Sequence, residues 1–344
     1  MKVLFDINHP AHVHVFRNVI QHLVAAGHEV MVTSRDKECA TELLDFTKIN
    51  HRVLSSAGSN KNGSFLKELL LKDWRLFKAA RAFNADIMVS VAGTFIAHVS
   101  LFTGIPSLVL YDTEDAKLQN MITYPFLTKL CVPECYTGWT PRKKTMRYCG
   151  YHELAYLSPE YFEVNEALAL KNGVKEGKNI FIRLVSWDAN HDVGYAGWSE
   201  KSLDELINYF SESSNIIISS ERLLPEKYNH LRYQGKIGEI HHVMASCDLF
   251  IGESATMASE SAVLGIPAIY VSDAFRGYMN DIELRYSLVK VITDFDFREI
   301  KIAADGFLSD DKSHFKQQRD QLLEDCVDVT ELIYSQILEL GKSE

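Results

Sequence analysis

The hydrophobic residues of this chain fall into short, mostly unbroken runs that are separated by longer amphipathic stretches. Such runs are typical of strands that are buried on both faces of a parallel sheet. The first run, Lys2–Ile7, is followed by helical spacing over Val13–Ala26 and by a second run, His28–Thr33. This order predicts a strand–helix–strand unit, with Asn8–His12 as the loop at the carboxyl end of the first strand.

The same alternation recurs in both halves of the chain. Strands are also predicted at Asp86–Ser90, Ser107–Tyr111, Asn179–Val185, Asn215–Ser219, Arg232–Gln234, Asp248–Ile251 and Ala268–Val271. Helical spacing continues from about Asp310 to Leu340, and the irregular stretch from about 150 to 178 predicts a connection between domains. We therefore expect an α/β protein of two domains with a cleft between them, divided as 1–160, 161–325 and a terminal helix over 326–344.

Composition narrows the classes of function that the chain can have. The chain has 344 residues, enough for two domains, and a net charge of −10, which argues against nucleic acid as a partner. Its six cysteines lack CxxC spacing, so reduced thiols and a cytoplasmic location are expected. No apolar run approaches the roughly 20 residues that span a bilayer, which leaves peripheral contact with the inner face of the membrane as the alternative to a purely cytoplasmic location.

The stretch Gly252–Val271 carries the clearest chemical signal. It reads as a small-residue turn, a helix opened by Ser254, Ala255 and Thr256, and a following strand. The free N–H groups and the positive dipole end of such a helix suit a phosphate, and Glu260, one turn beyond Thr256, could accept hydrogen bonds from a ribose diol. The alternative is an ordinary capped crossover helix.

Three histidines, His9, His12 and His14, follow the first strand, where ligands of parallel sheets bind. Histidine titrates near neutrality, so His12 is a candidate for proton transfer. His12 and His14 would chelate a metal poorly, because residues i and i+2 of a helix point apart. We expect no metal and no other cofactor.

Acidic residues follow another strand end, with Asp112, Glu114 and Asp115 directly after Ser107–Tyr111. They mark either a helix N-terminus, which carboxylates favour, or a group of the active cleft. Asp188, His191 and Asp192 lie on the loop after Asn179–Val185 and are candidates for ligand contact, the alternative being a loop held by Asx turns.

Several motifs together resemble a known family. They are HPAHVHVF, AAGHEVMVTSR, RLVSWDANHDVG, SSERLLPE and IGESATMASESAVLGIPAIY. They resemble the family catalogued as domain of unknown function 354, which is similar to the GT-B superfamily of two Rossmann-like domains. That superfamily includes the UDP-N-acetylglucosamine transferase of peptidoglycan synthesis and the UDP-N-acetylglucosamine 2-epimerases. The resemblance implies a terminal helix that crosses back to the first domain.

The resemblance also implies roles for particular residues. It places His12 near the acceptor or reaction centre, and Glu114, from the acidic group after Ser107–Tyr111, is the second catalytic candidate. The implied nucleotide-sugar site comprises Arg183, Ser186, Ser220, Glu221, Ile240, Ser254, Ala255, Thr256, Met257 and Glu260. Further cleft candidates are His9, His14, Asp112, Asp188, His191, Asp192 and Arg276.

Three functions remain open at this point. The first is a GT-B glycosyltransferase that moves a hexose from a nucleotide-diphosphate sugar to a glycan or lipid-linked acceptor in surface polysaccharide synthesis. The second is a UDP-N-acetylglucosamine 2-epimerase, and the third is a non-catalytic nucleotide-sugar binding protein. The helix predicted at Phe65–Phe83 has its basic residues, Lys72 among them, on its polar side. These residues and the apolar ones around them are candidates for contact with a lipid-linked acceptor.

Overall fold

The computed structural model describes residues 1–36, 39–56, 65–186 and 197–341. The chain forms two units, of which unit 1 comprises Met1–Tyr156 and the segment from Val327 onward, and unit 2 comprises Leu157–Cys326. From the sequence we expected these changes after residues 160 and 325.

Strands and helices alternate along both units. The first part contains β1 (Lys2–Ile7), α1 (Pro10–Ala25), β2 (Glu29–Asp36), α2 (Ala40–Phe46), β3 (His51–Ser56), α3 (Phe65–Phe83), β4 (Ile87–Val91), α4 (Thr94–Thr103), β5 (Ser107–Leu110), α5 (Lys117–Thr123), β6 (Lys129–Pro133), β7 (Thr145–Tyr148) and α6 (Leu154–Leu157). The second part contains α7 (Glu166–Lys171), β8 (Asn179–Leu184), α8 (Glu200–Phe210), β9 (Asn215–Ser220), α9 (Ile240–Met244), β10 (Leu249–Gly252), α10 (Ala255–Val263), β11 (Ala268–Val271), α11 (Gly277–Tyr286), β12 (Val289–Ile292), α12 (Phe297–Ser309), α13 (Lys312–Asp325) and α14 (Val329–Gly341).

The sheet of unit 1 has the order β3-β2-β1-β4-β5-β6-β7 over the described residues, and every adjacent pair is parallel. The strand order therefore reverses between β1 and β4, which is the place where doubly wound sheets bind ligands. Central strands are fully buried, as Val3, Leu4 and Phe5 show at 0% exposure. The unbroken hydrophobic runs of the sequence arise from this burial on both faces.

The last helix, α14, belongs to unit 1. Its Thr330 hydroxyl donates to the Ala155 carbonyl at 2.8 Å, and Glu331 contacts His22 of α1 at 3.0 Å. Ile333 and Ile337 of the same helix are buried, so α14 covers part of the hydrophobic core of the unit.

The sheet of unit 2 has the order β12-β11-β10-β8-β9, again with parallel pairs. Its order reverses between β8 and β10, since the chain first adds β9 on one side and then returns to the other. The core of this unit lies under α8 and α12, where Leu206, Phe210 and Ile300 are buried against the strands.

Several element boundaries differ from the sequence predictions. Helix α1 begins at Pro10, not Val13, because the His9 side chain caps it and proline suits the first helical position. The strand predicted at Arg232–Gln234 is wrong, since only Arg232 forms a single bridge to β9. The long terminal helix is divided into α13 and α14 by residues 326–328.

Among the described residues, no helix combines the length and the apolar character needed to cross a bilayer.

Candidate functional site

Two groups of polar residues lie at the carboxyl edges of the sheets, one group in each unit. In unit 1 the first turn of α1 follows β1 directly. The His9 ring nitrogen Nδ1 accepts a hydrogen bond from the Ala11 backbone N–H at 3.2 Å, so His9 caps the helix. His12 therefore lies in the first turn of a helix and not in the predicted loop.

Beneath this turn lies a buried ion pair that the sequence did not indicate. Asp6 and Lys72 are 1% and 2% exposed, and the Lys72 Nζ lies 3.4 Å from an Asp6 carboxylate oxygen. Thr33 donates to the other Asp6 oxygen at 2.8 Å, while Asn8 bonds to both Asp6 and Lys72. Burial lowers the pKa of Lys72 and the Asp6 charge opposes that shift. The network fixes the end of β1.

Lys72 was expected on a polar helix face, and this interpretation is wrong. The same helix does expose apolar side chains, since Leu70, Leu71 and Trp74 are 62%, 48% and 54% exposed. The Lys78 Nζ lies 4.8 Å from the centroid of the Trp74 ring.

His12 has an environment that favours its neutral form. Its Nδ1 accepts a hydrogen bond from the Asn8 backbone N–H at 3.4 Å. Burial lowers the pKa of His12 well below its ordinary value, and the nearby His9, His152 and Lys72 lower it further, while Asp112 acts in the opposite direction.

His152, which follows β7, pairs with Asp112, which follows β5. The His152 Nδ1 lies 3.0 Å from an Asp112 oxygen, and the side chains are 6% and 20% exposed. Burial lowers the pKa of His152, but the Asp112 charge and hydrogen bond, with Glu153, outweigh it and raise the pKa overall. The His152 Nε2 is buried and has no hydrogen-bond partner among the described residues. Such an atom costs roughly 1–3 kcal/mol when it is left unpaired.

Asp112, which belongs to the predicted acidic group, thus contacts a histidine. Glu114 lies nearby and accepts a hydrogen bond from the Thr137 N–H at 3.4 Å. A helix does follow these acids, since α5 begins at Lys117 with Ala116 as its N-cap, but no acidic residue lies in its first turn and no side chain caps it. His14, by contrast, is buried and stacks on Tyr156 with ring centroids 5.1 Å apart.

In unit 2, Arg183 and Gly252 are register partners on β8 and β10, the two strands between which the order reverses. A Cβ atom on Gly252 would lie 2.8 Å from both the Cβ and the carbonyl oxygen of Arg183. Only glycine therefore fits here without displacing β8. This close approach brings an arginine beside the turn that leads into α10.

The Arg183 guanidinium is held at the ends of β8 and β9. Its Nη1 donates to the Ser219 hydroxyl at 2.7 Å, and its Nη2 bonds to Glu221. The other Glu221 oxygen accepts from the Ser186 backbone N–H at 3.1 Å. The Arg183 Nε is buried and has no hydrogen-bond partner in the described part of the chain.

Helix α10 begins as the sequence predicted. The Ser254 hydroxyl accepts from the Met257 N–H at 3.3 Å, so Ser254 is the N-cap. Ala255 and Thr256 are the first two helical residues. Backbone N–H groups of a first turn have no partner within the helix, so they point at any ligand bound there.

Glu253, between β10 and α10, is a buried carboxylate that the sequence analysis missed. It is 3% exposed and accepts hydrogen bonds from the Val185 N–H at 3.0 Å and the Trp198 N–H at 2.8 Å. Two backbone donors hold it in one orientation. Its position between a strand and a helix N-cap was the available signal.

Glu260 is buried at 4% exposure and bonds to His241 of α9 at 2.9 Å. Ile240 is the first residue of the same α9. The candidate ribose carboxylate is thus oriented by a histidine that sequence reasoning did not include.

The remaining candidates are more scattered. The Ser220 hydroxyl donates to the Arg222 carbonyl at 2.7 Å, and Arg276 is the N-cap residue of α11. Asp188, His191 and Asp192 lie outside the described residues. Within the described ranges, no cluster of three or more His, Cys, Asp or Glu side chains could hold a metal ion.

Solved structures with the same fold include sugar-nucleotide enzymes. The glycotransferase of kitacinnamycin superposes with a TM-score of 0.68 at 12% identity, over 98% of each chain. The UDP-GlcNAc 2-epimerase of Neisseria meningitidis, bound to UDP-GlcNAc, gives 0.68 at 13% identity, over 98% of this chain and 100% of that one. A spinosyn rhamnosyltransferase in complex with thymidine diphosphate gives 0.64 at 13% identity over the same shares. The fold is that of the GT-B enzymes, as expected.

Two further matches come from the sequence itself. An uncharacterized protein of Methanocaldococcus jannaschii is 20% identical over 293 residues, which cover 78% of this chain and 81% of that protein. The model of the family described as "Protein of unknown function (DUF354)" matches residues 1–340.

Proposed function

The chain belongs to the DUF354 family, and we propose that it is a GT-B-type glycosyltransferase. It would transfer a hexose from a nucleotide-diphosphate sugar, with UDP as the nucleotide, during synthesis of a surface glycan or polysaccharide. The observation that carries this proposal is the pairing of Arg183 with Gly252 at the strand reversal of unit 2, directly before the N-terminus of α10.

That arrangement supplies what a diphosphate leaving group needs. Negative charge develops on the diphosphate as the bond to the sugar breaks, and preorganised donors stabilise it. The N–H groups of Ala255 and Thr256 offer a helix N-terminus, and Arg183 offers a fixed cation held by Ser219 and Glu221. Glu260, oriented by His241, is the carboxylate proposed for the ribose hydroxyls.

The structural neighbours support the same class of ligand. One is described as bound to UDP-GlcNAc and another as complexed with thymidine diphosphate. A nucleoside diphosphate is common to both, so we propose one as the donor group here.

The acceptor chemistry is proposed for unit 1, where His12 and Glu114 are the sequence-derived candidates. An exposed apolar face on α3, formed by Leu70, Leu71 and Trp74 with Lys78 beside it, fits a lipid-linked acceptor or a membrane surface.

A single backbone donor can be removed to test the diphosphate site. Ala255 is the first residue of α10, and Ser254 before it is extended at φ −94 and ψ 112, so Ala255→Pro fits the backbone. Proline removes one N–H from the proposed cradle, and we expect UDP to bind about five- to tenfold more weakly, since a hydrogen bond to a charged group contributes about 1.5–3 kcal/mol and a neighbouring donor compensates in part. Isothermal titration calorimetry with UDP and UDP-GlcNAc measures this.

Glu200→Pro is the matched control. Glu200 is the first residue of α8 in the same unit, and its N-cap Ser199 is also extended. Equal affinities in the two variants would remove α10 from the site. Absence of binding by the wild type to UDP, thymidine diphosphate and their sugars would overturn the proposed function.

A 2-epimerase is the second candidate, favoured by the carboxylates Asp112 and Glu114 after β5 and by the likeness to the Neisseria enzyme. Epimerisation needs groups that remove and return a proton at a sugar carbon. Incubation with UDP-GlcNAc alone, followed by NMR, separates the candidates, because only an epimerase produces the manno sugar without an acceptor.

A further inference from the structure

His152 pairs with Asp112 through one ring nitrogen, and its second nitrogen has no hydrogen-bond partner within the described ranges. The His152 Nδ1 lies 3.0 Å from Asp112, while its Nε2 is buried and has no hydrogen-bond partner among the described residues. The side chain is 94% buried, since 6% of its surface is exposed. Buried polar atoms almost always have a hydrogen-bond partner. We therefore expect the His152 Nε2 to form a hydrogen bond with a group beyond the described residues, such as a bound substrate.

The pairing decides which nitrogen of His152 carries the proton. An ionised carboxylate only accepts hydrogen bonds, so Nδ1 must be the protonated nitrogen that faces Asp112. In the neutral ring, Nε2 then has a lone pair and can take a proton.

His12 has the opposite arrangement. Its Nδ1 accepts from the Asn8 backbone N–H at 3.4 Å, so in the neutral ring the hydrogen is on Nε2. His12 consequently presents a hydrogen-bond donor. Because the Nε2 of His12 already carries a hydrogen, it cannot accept a proton from a substrate.

We propose that His152, held by Asp112, is the general base that removes the proton from the acceptor hydroxyl, while His12 acts as a hydrogen-bond donor. This inference rests on the proposed glycosyltransferase function. The acceptor O–H proton moves to the His152 Nε2 and the acceptor oxygen bonds to the sugar C1. The bond from C1 to the diphosphate oxygen breaks, and the nucleoside diphosphate leaves with the electron pair. His152 then releases its proton to water.

The charged groups around the two histidine rings shift their pKa values in the directions that these roles require. Asp112 and Glu153 raise the pKa of His152 against the effect of burial, which makes it the stronger base. Burial, His9, His152 and Lys72 keep the pKa of His12 low, with Asp112 opposing them. Tyr148, which also feels the Asp112 charge, has its pKa raised by burial and stays protonated.

A second histidine–aspartate pair in unit 1 shows what a purely structural pair looks like. The His98 Nδ1 lies 2.9 Å from Asp73, and its Nε2 bonds to the Ile122 carbonyl at 3.0 Å. Both nitrogens of His98 are occupied, so it joins α3, α4 and α5 and has no nitrogen left for a substrate. It therefore provides the matched control.

His152→Asn is the discriminating variant, because the asparagine amide can replace Nδ1 towards Asp112 but offers no proton acceptor at the position of Nε2. We expect kcat for UDP release from UDP-GlcNAc, with polyprenyl-diphosphate-linked N-acetylglucosamine or water as acceptor, to fall about 10²–10⁴-fold. The Kd of UDP, which involves unit 2, is expected to stay unchanged. His98→Asn is expected to retain wild-type kcat.

The outcomes separate this inference from the proposed function. Binding and turnover by the wild type, with equal kcat in His152→Asn and His98→Asn, overturn the inference and leave the function standing. A wild type that binds no nucleotide sugar overturns the function. If His152→Asn does not fold, His152→Gln takes its place under the same criteria.

NMR of the histidine rings tests the inference without a variant or a substrate. In the wild type, the neutral form of His152 should carry its hydrogen on Nδ1 and that of His12 on Nε2, and His152 should titrate at the higher pH. The same tautomer in both rings, or the reverse order of titration, overturns the assignment of the base.

Discussion

The carboxyl edges of the two sheets carry different kinds of polar group. The edge of unit 1 holds carboxylates and two imidazoles with displaced pKa values: burial lowers the pKa of His12, and Asp112 raises that of His152. The edge of unit 2 holds a guanidinium, Arg183, and the N-terminus of α10. Both offer hydrogen-bond donors, and the guanidinium adds a positive charge.

The difference between the two edges matches two chemical tasks, proton transfer and phosphate binding. Groups with displaced pKa values are suited to move protons, whereas fixed cations and backbone N–H groups are suited to hold a phosphate. On the proposed function, the carboxyl edge of unit 1 would carry the proton transfer and that of unit 2 would bind the diphosphate. Variants at the unit 1 edge should change turnover, and variants at the unit 2 edge should change nucleotide affinity.

The largest effect is expected from Asp112→Asn. The amide no longer imposes a protonated Nδ1 on His152, and loss of such an aspartate lowers kcat on the order of 10³–10⁴-fold in enzymes where it orients a histidine base. Steady-state UDP release measures kcat, and calorimetry should give an unchanged Kd for UDP. Asp73→Asn, in the His98 pair, is the control. A loss of affinity equal to the loss of turnover would place Asp112 on the nucleotide side.

Arg183→Gln should have an intermediate effect, and it should change nucleotide affinity where Asp112→Asn changes turnover. Removing the cation is expected to weaken UDP binding about 10–100-fold, because hydrogen bonds to charged groups contribute about 1.5–3 kcal/mol. The control is Arg222→Gln, since Arg222 also follows β9 and its Nη2 lies 3.7 Å from Glu253. Equal losses in both variants would indicate a general charge effect.

The smallest effect concerns stability and pH. The pKa of His12 is lower in the folded chain than the ordinary value of about 6.5, so the unfolded chain binds more protons below that pH. Wild-type stability should therefore fall as the pH drops below about 6.5, by at most about 1.4 kcal/mol per pH unit from this group. Urea unfolding of His12→Gln from pH 5 to 8 should show a weaker dependence. Arg183→Gln should keep the wild-type dependence.

Most of the fold was predictable because buried parallel strands leave continuous hydrophobic runs. Lys2–Ile7 and Ala268–Val271 were found at their observed bounds for this reason. The first residues of the helices were harder to predict. The first turn of α1 contains no common capping residue, and α11 begins at Gly277 after Arg276, whose side chain makes no capping bond.

Candidate site residues could be proposed from the sequence where they directly follow a predicted strand. His12 and Ser254 were proposed in this way, and their roles stay predictions. The pair of Asp112 with His152 was not, because it joins the ends of β5 and β7 and requires knowledge that both flank β6. Lys72 and Asp6 leave no local signal, since one lies on an amphipathic helix and the other inside a hydrophobic strand.

The buried carboxylate of Glu253 has a consequence for how the parts of unit 2 depend on one another. One oxygen accepts from the Val185 N–H, just after β8, and the other from the Trp198 N–H, next to the N-cap Ser199 of α8. A single side chain at the start of α10 therefore acts as a clamp on two other segments of the unit. Replacing Glu253 would leave two buried backbone donors without their acceptor at once, so its loss would be felt at β8 and α8 as well as at α10.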